Sequence, residues 1–146
     1  MKMAKFGKHG YWITSDGKQS HFTVSETMCK CGCEESHVAQ ILLDRMEALR
    51  VKLGKPILIS SGFRCPTWNE RVGGAPLSGH ISGEAFDYYC PRLQLSQLWL
   101  FTERLDEGFD GLGSYPESKP PFLHLDCLGD RYSRWLYRGG KYYYLF

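Results

Sequence analysis

Apolar residues recur at three- and four-residue spacing early in the chain. Val38, Ile41, Leu42, Met46, Leu49 and Leu53 fall on one helical face. The pattern predicts a helix over 36–53, capped by Ser36 and stopped by Gly54 and Pro56. Leu95, Leu98, Trp99, Phe101 and Leu105 predict a second helix over 95–107, with Gly108 after it. Short strand patterns surround these helices. Residues 11–14 and 19–24 flank Asp16-Gly17, a hairpin signal. A short apolar run at 57–60 reads as a buried strand, and 84–89 as another after a glycine-bearing loop. Residues 66–72 predict one or two helical turns, and 73–76 a loop. The remainder predicts strands at 111–115, 122–127, 132–136 and 142–145, the last two joined through Gly139-Gly140. Helices early and mid-chain with strands dominating late predict an α+β fold around an antiparallel sheet.

Length sharpens that picture. The chain has 146 residues, the size of one ordinary domain with a self-sufficient core. The expectation is a single domain over 1–146. Charged residues make up 23% and hydrophobic residues 42%, which excludes a disordered chain. A net charge of +2 is too balanced for an electrostatic nucleic-acid binder. No apolar run reaches the roughly 18 residues of a membrane span. The first ten residues carry lysines with no apolar stretch after them, so no signal peptide is expected and the chain is expected to fold in a reducing cytosol. Six cysteines are then a puzzle rather than a disulfide framework.

Two of the five histidines stand in unusual company. In Ser78-Gly79-His80-Ile81-Ser82-Gly83-Glu84-Ala85-Phe86-Asp87, a glycine-bearing turn links a histidine to an aspartate at a strand start. In Phe122-Leu123-His124-Leu125-Asp126, His124 and Asp126 project from one sheet face, because strand residues two apart point the same way. His80, Asp87 and His124 make a His₂Asp set suited to zinc, with a fourth position open as in catalytic sites. An ordinary hydrogen-bonded His–Asp pair is the alternative. His124-Leu125-Asp126 also matches the first half of a non-haem iron triad, but no histidine follows Asp126 to close it.

The pattern Ser78-x-His80-x-x-Gly83-x-Ala85-x-Asp87 resembles the signature of the zinc D-Ala-D-Ala carboxypeptidase and murein endopeptidase family, in particular its small phage- and bacterium-encoded members. Ser60-Ser61-Gly62-Phe63-Arg64, Asn69 with Val72-Gly73-Gly74, and Gly111-Leu112-Gly113-Ser114-Tyr115-Pro116 followed by Phe122–Asp126 resemble further family segments in the same order. Cys29-Lys30-Cys31-Gly32-Cys33 is similar to the C-x-C-G-C of phage members. The resemblance runs from about 22 to 135 and implies an α+β domain whose antiparallel sheet carries one catalytic zinc on His80, Asp87 and His124. A similar zinc fold occurs in the signalling domain of hedgehog proteins, where hydrolysis is not the established role.

The resemblance implies a zinc peptidase acting on peptidoglycan stem peptides or cross-bridges, as an endopeptidase or a carboxypeptidase, and a phage or prophage lysin in one version. The alternatives are a non-catalytic zinc-stabilised binding module and a zinc enzyme acting on another small peptide or amide. Arg64 matches the family arginine expected near the substrate's carboxylate or scissile carbonyl. Ser78 either bonds substrate or caps a loop. Some branches place an acid three positions before the last zinc histidine; Pro121 stands there. Asp126 is therefore the candidate general base, or else a residue that orients a ligand, with Glu117 and Glu84 as further acids. Cys29, Cys31 and Cys33 are spaced too closely for ordinary structural zinc. A second ion there and a disulfide are alternatives to reduced, mostly buried thiols. The aromatic tail, Trp135, Tyr137, 142–144 and Phe146, is expected to serve core and edge packing, with glycan or peptide binding as the alternative. A monomer is expected. It would be made in the cytoplasm and act on the wall after release, or within a virion.

Overall fold

The computed structural model describes residues 1–106, 108–129 and 132–145. The predicted helix end at Glu107 and the tail residue Phe146 lie outside the described residues. Strands β1 (Lys5–Phe6), β2 (Tyr11–Ile13) and β3 (Gln19–Thr23) form a small antiparallel sheet. Asp16 and Gly17 turn the β2–β3 hairpin as expected, and the Asp16 carboxylate accepts the Lys18 N–H at 3.2 Å. Trp12 and Phe22 bury their rings in the core.

Helix α1 (Gln40–Leu53) starts four residues later than its apolar period predicts. Residues before it are extended instead. Val38 accepts a backbone bond from Ala4 and Ala39 bridges to Met3, so tertiary pairing overrides local propensity. Ser36 caps nothing there; its hydroxyl bonds the Thr27 hydroxyl at 2.7 Å. The buried face differs as well: Leu43 is buried and Ile41 is exposed. The end follows prediction, with Gly54 in the left-handed conformation at φ 63°.

Strand β4 (Leu58–Ser61), helix α2 (Pro66–Arg71), the single turn α3 (Gly79–Ser82), strand β5 (Ala85–Tyr89) and helix α4 (Leu95–Glu103) follow. The chain ends in β6 (Gly111–Tyr115), β7 (Phe122–Asp126), β8 (Ser133–Arg138) and β9 (Lys141–Tyr144). Six strands pair in the order β4-β5-β7-β6-β8-β9. Three expectations change here. β4 is a half-exposed edge strand rather than a buried one, and the glycine-bearing loop before β5 holds α3. The sheet is also mixed, because β8 runs parallel to β6. The link from β7 emerges beside the start of β6, and β8 sets off from that same end.

Alternation divides the sheet into two faces. Phe86 and Tyr88 of β5, Leu112 of β6, and Leu123 and Leu125 of β7 are fully or almost fully buried, in one core with Leu42, Met46 and Leu49 of α1 and Leu98 of α4. The intervening positions, Asp87, Gly113, His124 and Asp126, turn to the other face. Helices α1 and α4 cover one side of the sheet, and the chemistry lies on the other.

Candidate metal centre

Strand register assembles the centre. Asp87 pairs with His124, and His124 pairs with Gly113 on its other side. His80 comes from α3, whose N-cap is Ser78; the Ser78 hydroxyl accepts the His80 N–H at 3.2 Å. The cap contact thus matches one of the two roles expected for Ser78, and its side chain also lines the cleft.

His80 Nε2 lies 3.2 Å from Asp87 Oδ1, and His124 Nδ1 lies 3.0 Å from the same oxygen. One ligand atom from each residue falls within 4.8 Å of the others. A tetrahedral ion about 2.05 Å from each donor would space them by about 3.3 Å. The donor set therefore fits zinc in kind and in spacing. The outer nitrogens are engaged too. His80 Nδ1 is 2.8 Å from the Gly62 carbonyl, which can only accept, so this nitrogen carries the proton and Nε2 faces the centre. His124 Nε2 is 3.1 Å from Asp126 Oδ2, leaving Nδ1 to face inward.

The electrostatics agree with this arrangement. Burial pushes the Asp87 carboxyl up, but His80 and His124 outweigh it and hold the carboxyl well below the ordinary carboxylate range. Burial alone would push His124 down. Its bonds to Asp126 and Asp87 reverse this, and the imidazole is pushed up to about 9 without metal.

Arg64 is held over Asp87 by a three-way grip. Its Nη2 donates to Asp87 Oδ2 at 3.4 Å, Nε to the Ser61 hydroxyl at 3.1 Å, and Nη1 to Asn69 Oδ1 at 3.3 Å. Asn69 in turn donates to the Ala75 carbonyl at 2.9 Å. A Cβ on Gly74 would overlap the Asn69 amide, which explains a glycine at that position. Asn69 thus holds the arginine, and Gly74 leaves the space both side chains need.

Asp126 is almost fully buried, with both oxygens engaged. Oδ1 accepts the Gly111 N–H at 3.0 Å while Oδ2 meets His124. Gly111 must be bare, because a Cβ there would overlap that carboxylate. The other acids considered lie elsewhere. Glu117 accepts the Gly139 N–H at 2.7 Å at the β8–β9 turn, and Glu84 does not line the cleft. The cleft itself has a volume of about 400 Å³.

Aromatic residues form one wall. The Trp135 ring lies 5.4 Å from that of His124, and its indole N–H donates to the Tyr115 hydroxyl at 3.0 Å. Tyr115 and Tyr142 line the cleft. Burial raises the Tyr115 phenol, so it keeps its proton at neutral pH. Of the core and edge packing expected for the tail, the edge part is present: Tyr142 packs on Tyr137 and Tyr144 on Trp135, while Tyr142, Tyr143 and Tyr144 stay exposed on the edge strand β9.

The sequence model of a family described as Peptidase M15 matches residues 19–126, well over half of the chain. This chain belongs to the Peptidase M15 family. All three centre residues and Arg64 fall inside the matched span. The chain is also 36% identical over 80 residues to a zinc D-Ala-D-Ala carboxypeptidase of Streptomyces albus G, covering 50% of this chain and 31% of that protein. It thus spans less than a third of that relative's length. Within the family match, the fold agrees with the α+β architecture expected from the sequence.

Proposed function

We propose that this M15 peptidase is a zinc-dependent hydrolase of amide bonds in the peptides of bacterial cell-wall peptidoglycan, with His80 Nε2, Asp87 Oδ1 and His124 Nδ1 as its metal ligands. The observation that carries the reading is the convergence of these three donors beside a fixed arginine in an open cleft. The name of the Streptomyces relative supports both the metal and the substrate class.

When bound, zinc polarises the scissile carbonyl and lowers the pKa of water. The chain's own residues do the rest. Arg64 presents a planar fork to a peptide carboxylate or to the carbonyl oxygen as it gains charge. Ser61 and Asn69 fix that fork before substrate arrives. His80 and His124 direct their outer ring nitrogens to the Gly62 carbonyl and the Asp126 carboxylate, which orients their inner nitrogens toward the metal position; His124 gives up its inner proton as the ion binds. Asp126 acts in this scheme as a positioning residue rather than as the general base. Tyr115, protonated and held by Trp135, offers a hydroxyl at the cleft wall. Peptidoglycan lies outside the cytoplasm, so that is where the chain would act.

A second reading has one observation in its favour. The two carboxylates lining the cleft, Asp87 and Asp126, are both engaged, and Pro121 occupies the place of the acid in other branches. A zinc-stabilised binding module would have that arrangement. Purified peptidoglycan incubated with the protein, with and without chelator, separates the two when new termini are read by mass spectrometry. Chelator-sensitive cleavage is expected. Free D-Ala would mark a carboxypeptidase, and new internal termini an endopeptidase. Retention of the protein on peptidoglycan with no new termini would establish the binding module instead.

A further inference from the structure

We propose that Cys29, Cys31, Cys33 and Cys65 hold a second, structural zinc ion that clamps the loop after β3 to the segment carrying Arg64. The close spacing of Cys29, Cys31 and Cys33 counts against a zinc site built from that run alone. The tertiary structure adds a fourth sulfur from 34 residues beyond Cys31. One sulfur from each of the four lies within 4.8 Å of the others. Cys29 and Cys31 sulfurs are 3.5 Å apart, and those of Cys31 and Cys65 are 3.7 Å apart. A tetrahedral ion about 2.3 Å from each sulfur sets separations of about 3.8 Å. A disulfide needs about 2.0 Å, and all four cysteines are free.

The backbone is arranged for thiolate ligands. The Cys33 N–H points at the Cys31 sulfur, the Cys65 N–H at the Cys29 sulfur and the Trp68 N–H at the Cys65 sulfur, each at 3.4 Å. Such donors disperse the negative charge that four thiolates leave on the ion. Gly32, at φ 93°, reverses the chain between Cys31 and Cys33 so that neighbouring sulfurs converge. Cys29 closes the loop base by donating its N–H to the Glu35 carbonyl at 2.8 Å.

The chemistry is that of a closed structural site, with four sulfurs and no open position. Each thiol gives its proton to solvent as the ion binds. The clamp has a clear load. Cys65 follows Arg64 directly and caps α2, the Phe63 N–H donates to the Thr27 carbonyl at 2.9 Å, and the Gly62 carbonyl receives His80 Nδ1. The segment 62–65 therefore touches the cysteine cluster at one end and the His₂Asp centre at the other.

Metal counting on the full chain, purified under reducing conditions, tests the proposal. Wild-type protein should carry one zinc at each site. Cys33→Ser should lose the cluster ion and keep the other, and His124→Ala should do the reverse. Cobalt reconstitution supplies a readout that needs no activity. Thiolate-to-cobalt charge-transfer absorption should appear in wild type and His124→Ala, and should vanish in Cys33→Ser. Wild-type protein that binds cobalt without thiolate absorption would overturn the site. So would an intact mass two hydrogens light, the mark of a disulfide among these cysteines. Because the wild-type spectrum decides by itself, a variant that fails to fold does not blur the result. A single zinc lost only with Cys33→Ser would uphold the clamp and sink the peptidase centre.

Discussion

The His80–Asp87–His124 centre and the Cys29–Cys31–Cys33–Cys65 cluster use opposite construction. The first stands on paired strands, where register alone brings Asp87 opposite His124. Its sulfur counterpart stands on loops, where separate turns and a distant helix cap bring four side chains together. In the histidine centre, which lines a cleft, His80 and Asp87 are buried, while Cys31 and Cys33 are exposed. Strand-built ligands are held by the whole sheet and leave a coordination position for chemistry. Loop-built ligands need the ion itself to hold them, which suits a clamp. The two regions meet at residues 62–65, so each braces the other.

Breaking the histidine centre should have the largest effect. His124→Ala should lower peptidoglycan hydrolysis on the order of 10³-fold, as expected when metal polarisation worth several kcal/mol is lost. The cysteine-bound metal should stay, as read by metal counting. Arg64→Lys comes next. It keeps the charge and loses the fork to Ser61, Asn69 and Asp87, so kcat/KM should fall roughly 10²-fold with both metals retained.

Asp126→Asn sharpens the contrast between a positioning residue and a base. Metal affinity at the histidine centre should fall by about 10- to 100-fold, with turnover restored by excess zinc. Abolished turnover at full metal occupancy would instead make Asp126 the proton acceptor. Gly111→Ala drives a methyl into the Asp126 carboxylate and should cost about 1–3 kcal/mol in denaturant unfolding. The cysteine cluster should report no change.

The smallest expected effect is a pH dependence of the metal-free chain. His124 in the folded state is raised from 6.5 to about 9. Its contribution to stability is therefore fully present below about pH 6.5 and is lost as pH rises through about 9. Melting temperature in chelator should fall across that window, and the fall should flatten in His124→Gln. Asp87, held below its ordinary value of 3.8, works in the other direction. Its contribution is present above that value and is lost as pH falls through the lowered folded value.

Much of the site could be read along the chain because it obeys local periodicity. Leu123, His124, Leu125 and Asp126 alternate between core and cleft, so their faces follow from strand geometry alone. The ends of α1 show where such reading stops. Val38 matches the helical period and is buried as expected, yet it lies in an extended segment paired with Ala4. Burial was legible there and conformation was not, since the partner strand is distant in sequence. The β9 tyrosines were legible in part: Tyr142 and Tyr144 share a face, as alternation requires, and rest on Tyr137 and Trp135 of β8, yet they stay exposed on the outermost strand.

The sequence by itself determined the α+β class, the family, and the identity of His80, Asp87, His124 and Arg64 as the residues to watch. Those features rest on residue type and short spacing, which the covalent chain carries directly. Only the tertiary structure decided that Ser78 caps α3, that Asp126 occupies the outer nitrogen of His124, and that Cys65 completes a ring of four sulfurs. Each of these depends on where a distant backbone atom or side chain arrives after folding. Loop closure over 34 residues leaves no periodic trace in the chain, because the intervening turns, not the spacing, set the final distance.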